Sequence, residues 1–174
     1  MPIRERDDVR AVVLAGGVGM RLRPYTTVLP KPLMPVGSRP ILDIIVRQLR
    51  HAGCERITIS TGYLAELIEA FFGDGAKYDV PIDYFRETKP LGTVGSLALI
   101  DHLDADTLVM NGDILTDLDY GAMLADHRNG DACLTIATRV RQVEITLGVP
   151  QFADGDLPAP LGTKRHNAGN CLLQ

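Results

Sequence analysis

Residues 11–21 have the sequence AVVLAGGVGMR, in which an apolar run leads directly into a loop that contains three glycines. A short apolar run that is rich in valine and ends at glycine predicts a fully buried strand. Farther along, Ile41 to His51 place apolar side chains three or four positions apart, which is typical of a helix with one buried face. A buried strand, a glycine loop and an amphipathic helix in this order predict the first unit of an α/β fold.

The same alternation continues along most of the chain. Because strands separated by helices need crossover connections, it predicts a doubly wound α/β domain, with a mostly parallel sheet covered by helices on both faces. Ligands of such sheets bind beyond the carboxyl ends of the strands. The loops after Ala15, Thr61, Arg86 and Met110 are therefore expected to converge on one crevice. The predicted strands are 11–15, 57–61, 82–86, 107–110 and 132–138, and the predicted helices are 41–51, 64–72, 93–103 and 120–129.

The pattern weakens after Arg139. Residues 148–152 are compatible with a strand that leads to an Asp154-Gly155 turn. Residues 157–165 contain two prolines and show no period, so they are predicted to form a loop. Residues 167–173 are compatible with a closing strand.

Composition excludes several classes of protein. With 174 residues, 45% hydrophobic and 23% charged, the chain is typical of globular proteins and not of disordered ones. Its 18 basic and 22 acidic residues give a net charge of −4, whereas proteins that bind nucleic acid through its phosphates are usually basic. An anionic ligand would need a local cluster of cations.

The sequence also bears on the cellular location of the protein. No apolar run approaches the roughly 20 residues of a membrane helix, and the first residues lack the pattern of a secretory signal. We therefore expect a cytoplasmic protein without a membrane partner. The three cysteines, Cys54, Cys133 and Cys171, are odd in number and far apart, and they are expected to be reduced, mostly buried thiols.

The glycine loop has the composition of a phosphate-binding loop. Gly16, Gly17 and Gly19 permit tight turns and let backbone N–H groups approach a ligand. Arg21 adds a planar cation that matches phosphate oxygens. The loop is neither a P-loop nor a regular dinucleotide fingerprint. The alternative is a turn that needs glycine only because a strand ends there.

A second cation, Lys31, lies between Pro30 and Pro32. Proline on both sides stiffens the backbone and keeps it out of a helix, so the lysine is pre-positioned. Arg21 and Lys31 on neighbouring loops would form the cationic cluster that a triphosphate requires. Two solvated surface cations are the alternative.

These two blocks together resemble a known family. Gly16-Gly17-x-Gly19-x-Arg21-Leu22-x-Pro24, followed by Pro30-Lys31-Pro32-Leu33-x-Pro35-Val36, is similar to the signature of the sugar-1-phosphate nucleotidyltransferases, also called nucleotide-sugar pyrophosphorylases. The resemblance implies a Rossmann-like fold. It also implies an enzyme of the EC 2.7.7 type, which transfers a nucleoside monophosphate from a nucleoside triphosphate to a sugar 1-phosphate and releases pyrophosphate, with Mg²⁺.

Residues 87–96, with the sequence ETKPLGTVGS, resemble the family's base-recognition loop. A carboxylate only accepts hydrogen bonds, so Glu87 suits the N1–H and amino group of guanine. Family members that use uracil or thymine nucleotides more often carry glutamine here. The resemblance therefore favours GTP and mannose-1-phosphate guanylyltransferase-like members, and mannose 1-phosphate as the sugar substrate. An exposed glutamate in a turn is the alternative.

Residues 108–113, with the sequence LVMNGD, predict a strand that ends at the crevice. Asp113 matches the family's metal-binding aspartate, and Mg²⁺ is commonly held by one or two carboxylates together with phosphates and waters. A simple Asn-Gly-Asp turn is the alternative. Asp117 and Asp119 are expected at the entry of the following helix rather than on a metal.

The remaining blocks resemble the family's sugar side. Leu147-Gly148-Val149 resembles its Tyr-Gly-Val, and Asn167 begins a segment similar to its Asn-Ala-Gly. The family's Glu-Lys-Pro segment and second metal-binding aspartate are not found, and Lys164 is the available substitute for the phosphate-binding lysine. We expect residues 1–139 to form a nucleotide-binding half and residues 140–174 a partial sugar-phosphate-binding part of the same domain.

The resemblance thus assigns a role to each candidate residue. It implies catalytic roles for Arg21, Lys31 and the metal ligand Asp113, nucleotide contacts from Leu14, Ala15, Gly16, Gly17, Gly19, Glu87, Gly92, Thr93 and Gly112, and sugar-phosphate contacts from Asn111, Gly148, Lys164 and Asn167. The alternatives are an enzyme that uses UTP or dTTP, a non-catalytic regulatory subunit that binds nucleotide sugars, and an incomplete chain. A homo-oligomer is compatible with the sequence, which does not specify the oligomeric state.

Overall fold

A computed structural model of the protein describes residues 9–89, 91–101, 103, 106–140, 149–152 and 158–162, the last two ranges by their backbone alone. The elements in chain order are β1 (Val9–Ala15), β2 (Pro35–Val36), β3 (Arg39–Pro40), α1 (Ile41–His51), β4 (Cys54–Thr61), α2 (Ala65–Phe72), β5 (Ile82–Arg86), β6 (Asp106–Asn111), α3 (Tyr120–Asn129), β7 (Val149–Phe152) and β8 (Pro158–Gly162). Short 3-10 helices lie at Met20–Leu22, Tyr25–Thr27, Lys31–Leu33, Ala76–Tyr78 and Gly95–Ala98.

The centre of the fold is a parallel sheet of four strands in the order β5-β4-β1-β6. β1 pairs with both β4 and β6, and β4 pairs with β5, all in parallel. The non-sequential order follows from crossover connections, as the alternation of elements predicts. The predicted parallel α/β architecture is therefore confirmed.

One face of the sheet carries the hydrophobic core. Ala11 and Val13 of β1 lie beside Ile57 and Ile59 of β4, and because neighbouring residues in register share a face, these side chains form one apolar surface. The helices cover that surface. Their residues in the core are Leu42, Ile45, Val46 and Leu49 of α1, Ile68 and Phe72 of α2, and Tyr120 of α3.

Helix boundaries follow local chemistry. α1 and α3 coincide with the predicted ranges. α2 begins at Ala65 and not at the predicted Leu64, because Leu64 adopts a left-handed conformation with φ 54°. The Asp119 side chain accepts a hydrogen bond from the backbone N–H of Ala122, 2.9 Å away, so it caps α3 as predicted.

The predicted helix 93–103 is wrong. In the described part of this range only Gly95–Ala98 are helical, as one 3-10 turn. Gly92 has φ 78°, and the glycines and β-branched residues of this stretch have low helix propensity. Leu99, which lies inside the predicted helix, is 56% exposed. The segment still packs on the second face of the sheet, where Arg10 of β1 donates a hydrogen bond to the Asp101 carbonyl, 3.0 Å away.

The predicted strand 132–138 is also wrong. Residues 131–140 form no regular element, and Leu134 and Ile136 are 69% and 57% exposed. β-branched composition favours a strand only where a neighbouring strand and a packed face accept it.

The chain divides into two compact units, residues 1–130 and 131–174. In the second unit, β7 pairs antiparallel with β8. The strand expected from residue 148 is thus observed at Val149–Phe152, whereas the loop predicted for 157–165 contains β8. Pro158 and Pro160 do not prevent this pairing, because each strand of a two-stranded sheet is an edge strand, and edge strands tolerate residues that lack an N–H donor.

Two other expectations concern membranes and thiols. In the described ranges no helix is both long and apolar enough to cross a membrane. Cys54 is buried, and burial raises the pKa of its thiol to about 11. Cys133 is exposed and free, which corrects the expectation of a buried thiol at that position, because the strand predicted around it does not form. Cys171, the expected 154–155 turn and the expected 167–173 strand lie outside the described residues.

Candidate functional site

The carboxyl ends of the four parallel strands lie along one edge of the sheet, and hydrogen bonds join the loops that leave them. The Gly112 N–H donates to the Leu14 carbonyl and the Glu87 N–H to the Thr61 carbonyl, each over 2.8 Å. The Tyr63 N–H donates to the Gly16 carbonyl over 3.4 Å. The loops after β1, β4, β5 and β6 therefore meet, as predicted.

Glycine is required where these loops touch. A Cβ on Gly62 would lie 2.8 Å from the Gly16 carbonyl oxygen, and one on Gly112 would lie 3.3 Å from Ala15. The approach at Gly62 is closer than real Cβ atoms come, and the one at Gly112 is tighter than most, so the absence of side chains lets the loops pack against one another. Gly17 differs, because nothing lies within 4 Å of the place where its Cβ would be.

The first loop is held in shape from inside. Gly19 has φ 65°, a left-handed conformation that favours glycine. The Thr26 hydroxyl donates to the Gly19 carbonyl over 3.0 Å, and Thr26 is only 2% exposed. A Cβ on Gly19 would also approach the Lys31 side chain to 3.2 Å. The loop that contains Gly19 and the loop that contains Lys31 therefore pack together, as expected for neighbouring loops.

Glu87 lies directly against the glycine loop. A Cβ on Gly16 would be 2.9 Å from its Oε1 atom, so a larger residue at this position would displace the carboxylate from where it lies. The Ser60 hydroxyl donates a hydrogen bond to the same oxygen over 2.8 Å. The candidate base-recognition residue and the candidate phosphate-binding loop thus belong to one site.

Lys31 and Asp113, 82 positions apart, form an ion pair through Nζ and Oδ2. Pro32 and Leu33 are buried beside the lysine and anchor its backbone. The side chains of the pair are 36% and 26% exposed, so both remain accessible. Lys31 is therefore not a solvated cation without a partner, because its side chain reaches the aspartate that follows β6.

Asp113 has surroundings that suit one kind of metal site. Within the described ranges, no group of three or more His, Cys, Asp or Glu side chains could hold a metal by itself. A single accessible carboxylate nevertheless fits Mg²⁺, which keeps several waters and takes substrate phosphates as its other ligands. The residues present therefore fit a magnesium ion that arrives with a nucleotide.

The other predicted residues have different surroundings. Arg21 lies exposed in the 3-10 helix that follows Gly19, and Gly92 and Thr93 are also exposed. Asn111 is half-buried at the end of β6, in register with Leu14. Gly148, Lys164 and Asn167, the candidate sugar-phosphate ligands, lie outside the described residues.

Sequence reasoning missed three residues of this site, Thr26, Ser60 and Gly62. Two of them carry a signal in retrospect. Ser60 is a polar residue in the buried part of β4, residues 57–61, and Gly62 directly follows that strand. Thr26 carries none, because nothing local distinguishes it from the neighbouring threonine.

The chain is similar to known proteins. A family model described as Nucleotidyl transferase matches residues 10–154. The chain is 41% identical over 130 residues to the mannose-1-phosphate guanylyltransferase of Mycobacterium tuberculosis, covering 74% of this chain and 36% of that protein. It is 34% identical over 150 residues to the UTP–glucose-1-phosphate uridylyltransferase of Synechocystis sp., covering 79% and 39%.

A solved structure is similar as well. The superposition with HddC from Yersinia pseudotuberculosis, complexed with GMP-PN, has a TM-score of 0.59 at 25% identity and covers 91% of this chain and 70% of that one. The chain spans well under half the length of the two curated relatives.

Proposed function

The chain belongs to the nucleotidyl transferase family, and we propose that it moves a nucleoside monophosphate from a nucleoside triphosphate to a sugar 1-phosphate. In this reaction an oxygen of the sugar phosphate forms a bond to the α-phosphorus of the nucleotide. The bond from that phosphorus to pyrophosphate breaks, and pyrophosphate leaves. The observation that carries the proposal is the ion pair of Lys31 with Asp113 beside a glycine loop that also contacts Glu87.

The side chains of the site suit the electrostatics of that reaction. Both substrates are polyanions, and transfer between them depends on positioning and charge neutralisation more than on covalent help from the protein. Lys31 is anchored by buried neighbours and would meet phosphate oxygens, and the exposed Arg21 would add a second cation. Asp113 would hold Mg²⁺, which when bound neutralises phosphate charge. When the nucleotide binds, the Lys31 ammonium would leave Asp113 and bind phosphate oxygens instead.

GTP is the proposed nucleotide. The Glu87 carboxylate offers only acceptors, which match the two adjacent donors of guanine, whereas the single N–H of uracil is flanked by carbonyls. The mannose-1-phosphate guanylyltransferase relative supports this choice and the choice of mannose 1-phosphate as sugar substrate. The uridylyltransferase relative makes UTP the competing nucleotide. Asn111, Gly148, Lys164 and Asn167 are the proposed sugar-phosphate ligands.

Binding and turnover test the proposal separately. The thermal midpoint of unfolding is measured with GTP, UTP, dTTP and CTP, each with and without Mg²⁺, and pyrophosphate release is then measured with mannose 1-phosphate or glucose 1-phosphate. We expect the largest stabilisation from GTP with Mg²⁺ and release with mannose 1-phosphate. A larger stabilisation by UTP or dTTP would overturn the base assignment, and strong binding without any release would favour the regulatory subunit.

The Lys31→Ala and Asp113→Ala variants belong to the same experiment. Removal of one well-aimed charged group should reduce turnover about 10²–10³-fold, while the midpoint without nucleotide changes little. Arg50→Ala is the matched control, because Arg50 is an exposed cation at the end of α1, remote in sequence from the glycine loop. If Lys31→Ala kept the turnover of the control, the role of this lysine would be wrong.

A further inference from the structure

Ser60 is a buried polar residue near the carboxyl end of β4. It is 0% exposed, and its hydroxyl donates to Glu87 Oε1 over 2.8 Å. Register places Ser60 between Leu14 of β1 and Phe85 of β5, on the face of the sheet opposite the main core. A buried hydroxyl is costly unless it is hydrogen-bonded, and here the acceptor is the candidate base-recognition carboxylate.

Two hydrogen bonds restrain Glu87, and Gly16 leaves room for its carboxylate. Its backbone N–H donates to the Thr61 carbonyl over 2.8 Å, which fixes where the side chain begins. The Ser60 hydroxyl fixes one carboxylate oxygen, and the missing side chain of Gly16 leaves the space that the oxygen occupies. Hydrogen bonds to ionised acceptors are stronger than neutral ones, so the hydroxyl is a substantial restraint on carboxylate orientation.

Orientation matters because guanine presents two donors side by side. Both can be bound only when the two oxygens of one carboxylate lie in the plane of the base. Each carboxylate oxygen has two acceptor positions, so Oε1 can hold the Ser60 hydroxyl and still accept from the base. A rotated carboxylate would lose one of the two contacts with guanine. Uracil, which offers a single N–H, would lose less.

We propose that Ser60 is a positioning residue that sets the base selectivity of the site by aligning the Glu87 carboxylate. This inference rests on the proposed role of Glu87 in base recognition. Ser60 itself does not contact the nucleotide in this account and acts entirely through the glutamate. A merely structural serine would affect the stability of the chain without changing the ratio of GTP to UTP affinity.

Equilibrium binding of GTP and of UTP, each with Mg²⁺, tests the proposal on the full chain. We expect Ser60→Ala to weaken GTP binding about tenfold, the scale of one hydrogen bond to a charged group, and to weaken UTP binding much less. Ser60→Thr keeps the hydroxyl and should restore most of the selectivity. Should Ser60→Ala fail to fold, Ser60→Cys replaces the strong donor by a weak one and carries the same comparison.

Thr58→Val is the matched control. Thr58 lies two positions earlier on the same face of β4 and is buried, and among the described residues its hydroxyl has no hydrogen-bond partner. Removal of this hydroxyl should leave the GTP to UTP affinity ratio unchanged. An equal loss of selectivity in Thr58→Val would overturn the proposal, because it would show a general response of the strand.

Glu87→Gln separates this inference from the proposed function. If Ser60 acts through Glu87, the double variant Ser60→Ala with Glu87→Gln should have the same ratio of GTP to UTP affinity as Glu87→Gln alone. If Glu87→Gln lowers the ratio and Ser60→Ala does not, the role of Ser60 is wrong while the role of Glu87 stands. If Glu87→Gln leaves the ratio unchanged, the base-recognition role fails, and the inference on Ser60 fails with it.

Discussion

Gly62 lies where the loop after β4 meets the backbone of the glycine loop. A Cβ at this position would be 2.8 Å from the Gly16 carbonyl oxygen, and this oxygen cannot move without the loop. We therefore predict that Gly62→Ala lowers the free energy of unfolding by about 1–3 kcal/mol, the usual cost of overpacking. It should also weaken nucleotide binding, because the displaced backbone belongs to the candidate phosphate-binding loop.

Gly17→Ala is the control for this substitution. Gly17 belongs to the same loop, but nothing lies within 4 Å of where its Cβ would be. The free energy of unfolding of the Gly17→Ala variant, measured in urea, should stay close to that of the unmodified chain. Equal stability of Gly62→Ala and Gly17→Ala would contradict the steric argument.

Single residues were predictable where the residue type limits the chemistry. Lys31 between two prolines, Asp113 at a strand end and Glu87 before a glycine turn were identified from sequence, and all three lie at the predicted edge of the sheet. The close approaches of Gly62 and the hydrogen bond of Ser60 were not predictable. They depend on which loops touch across the sheet, and that is set by strand order and register.

At the scale of elements, a buried carboxylate joins α1 to the 3-10 helix at Ala76–Tyr78. Tyr78 donates its hydroxyl to Asp43 over 2.7 Å, and Arg47 donates to the same carboxylate over 2.9 Å. Burial by itself would raise the pKa of Asp43, but these hydrogen bonds and the charges of Arg47 and Arg39 outweigh it and hold the pKa below its ordinary value of 3.8.

The lowered pKa predicts the pH dependence of stability. A carboxylate whose pKa is depressed by folding stabilises the fold above its unfolded pKa, and this contribution is lost as the pH falls through the folded value. Asp43→Asn should therefore lower the free energy of unfolding at neutral pH by about 1–3 kcal/mol. Below about pH 3.8 the difference from the unmodified chain should shrink.

Urea unfolding at about pH 3 and about pH 6 measures this difference. Asp79→Asn is the control, because Asp79 is exposed and asparagine tolerates its left-handed φ of 55°. Equal pH dependence in the Asp43→Asn variant and the unmodified chain would show that this carboxylate does not couple folding to protonation.

Helices and strands were predictable where one buried face requires apolar residues at a regular spacing. Ile41–His51 form a helix as predicted because the spacing of Leu42, Ile45 and Leu49 presents one apolar stripe to the sheet. Residues 93–103 have apolar side chains too, but Gly92 and Gly95 favour conformations other than a helix, and the described part of the range forms a single 3-10 turn. Residues 132–138 show that strand propensity without a paired neighbour does not produce a strand.

At the scale of the whole molecule, the first compact unit ends at Gly130. It contains the four parallel strands and the helices α1, α2 and α3. It also contains the contact between Gly16 and Glu87 and the ion pair between Lys31 and Asp113. We predict that a chain shortened to residues 1–130 unfolds cooperatively and binds GTP with Mg²⁺ about as tightly as the full chain. Urea unfolding followed by equilibrium nucleotide binding measures both properties.

A chain shortened to residues 1–103 is the control. It lacks β6, the parallel neighbour of β1, and with it Asp113, so it should neither unfold cooperatively nor bind the nucleotide. If the 1–130 chain folded but lost GTP binding, residues beyond 130 would be needed for the nucleotide site.

The sequence by itself determined the class of fold, the family and the loops of the candidate site, because the spacing of buried residues, glycine turns and charged residue types are local properties. The tertiary structure decided which of those loops touch. The pairing of Lys31 with Asp113, the contact of Gly16 with Gly62 and the hydrogen bond from Ser60 to Glu87 all arise from strands that are neighbours in the sheet and distant in the chain. Packing between distant segments depends on the order and register of the strands, and no local pattern encodes these.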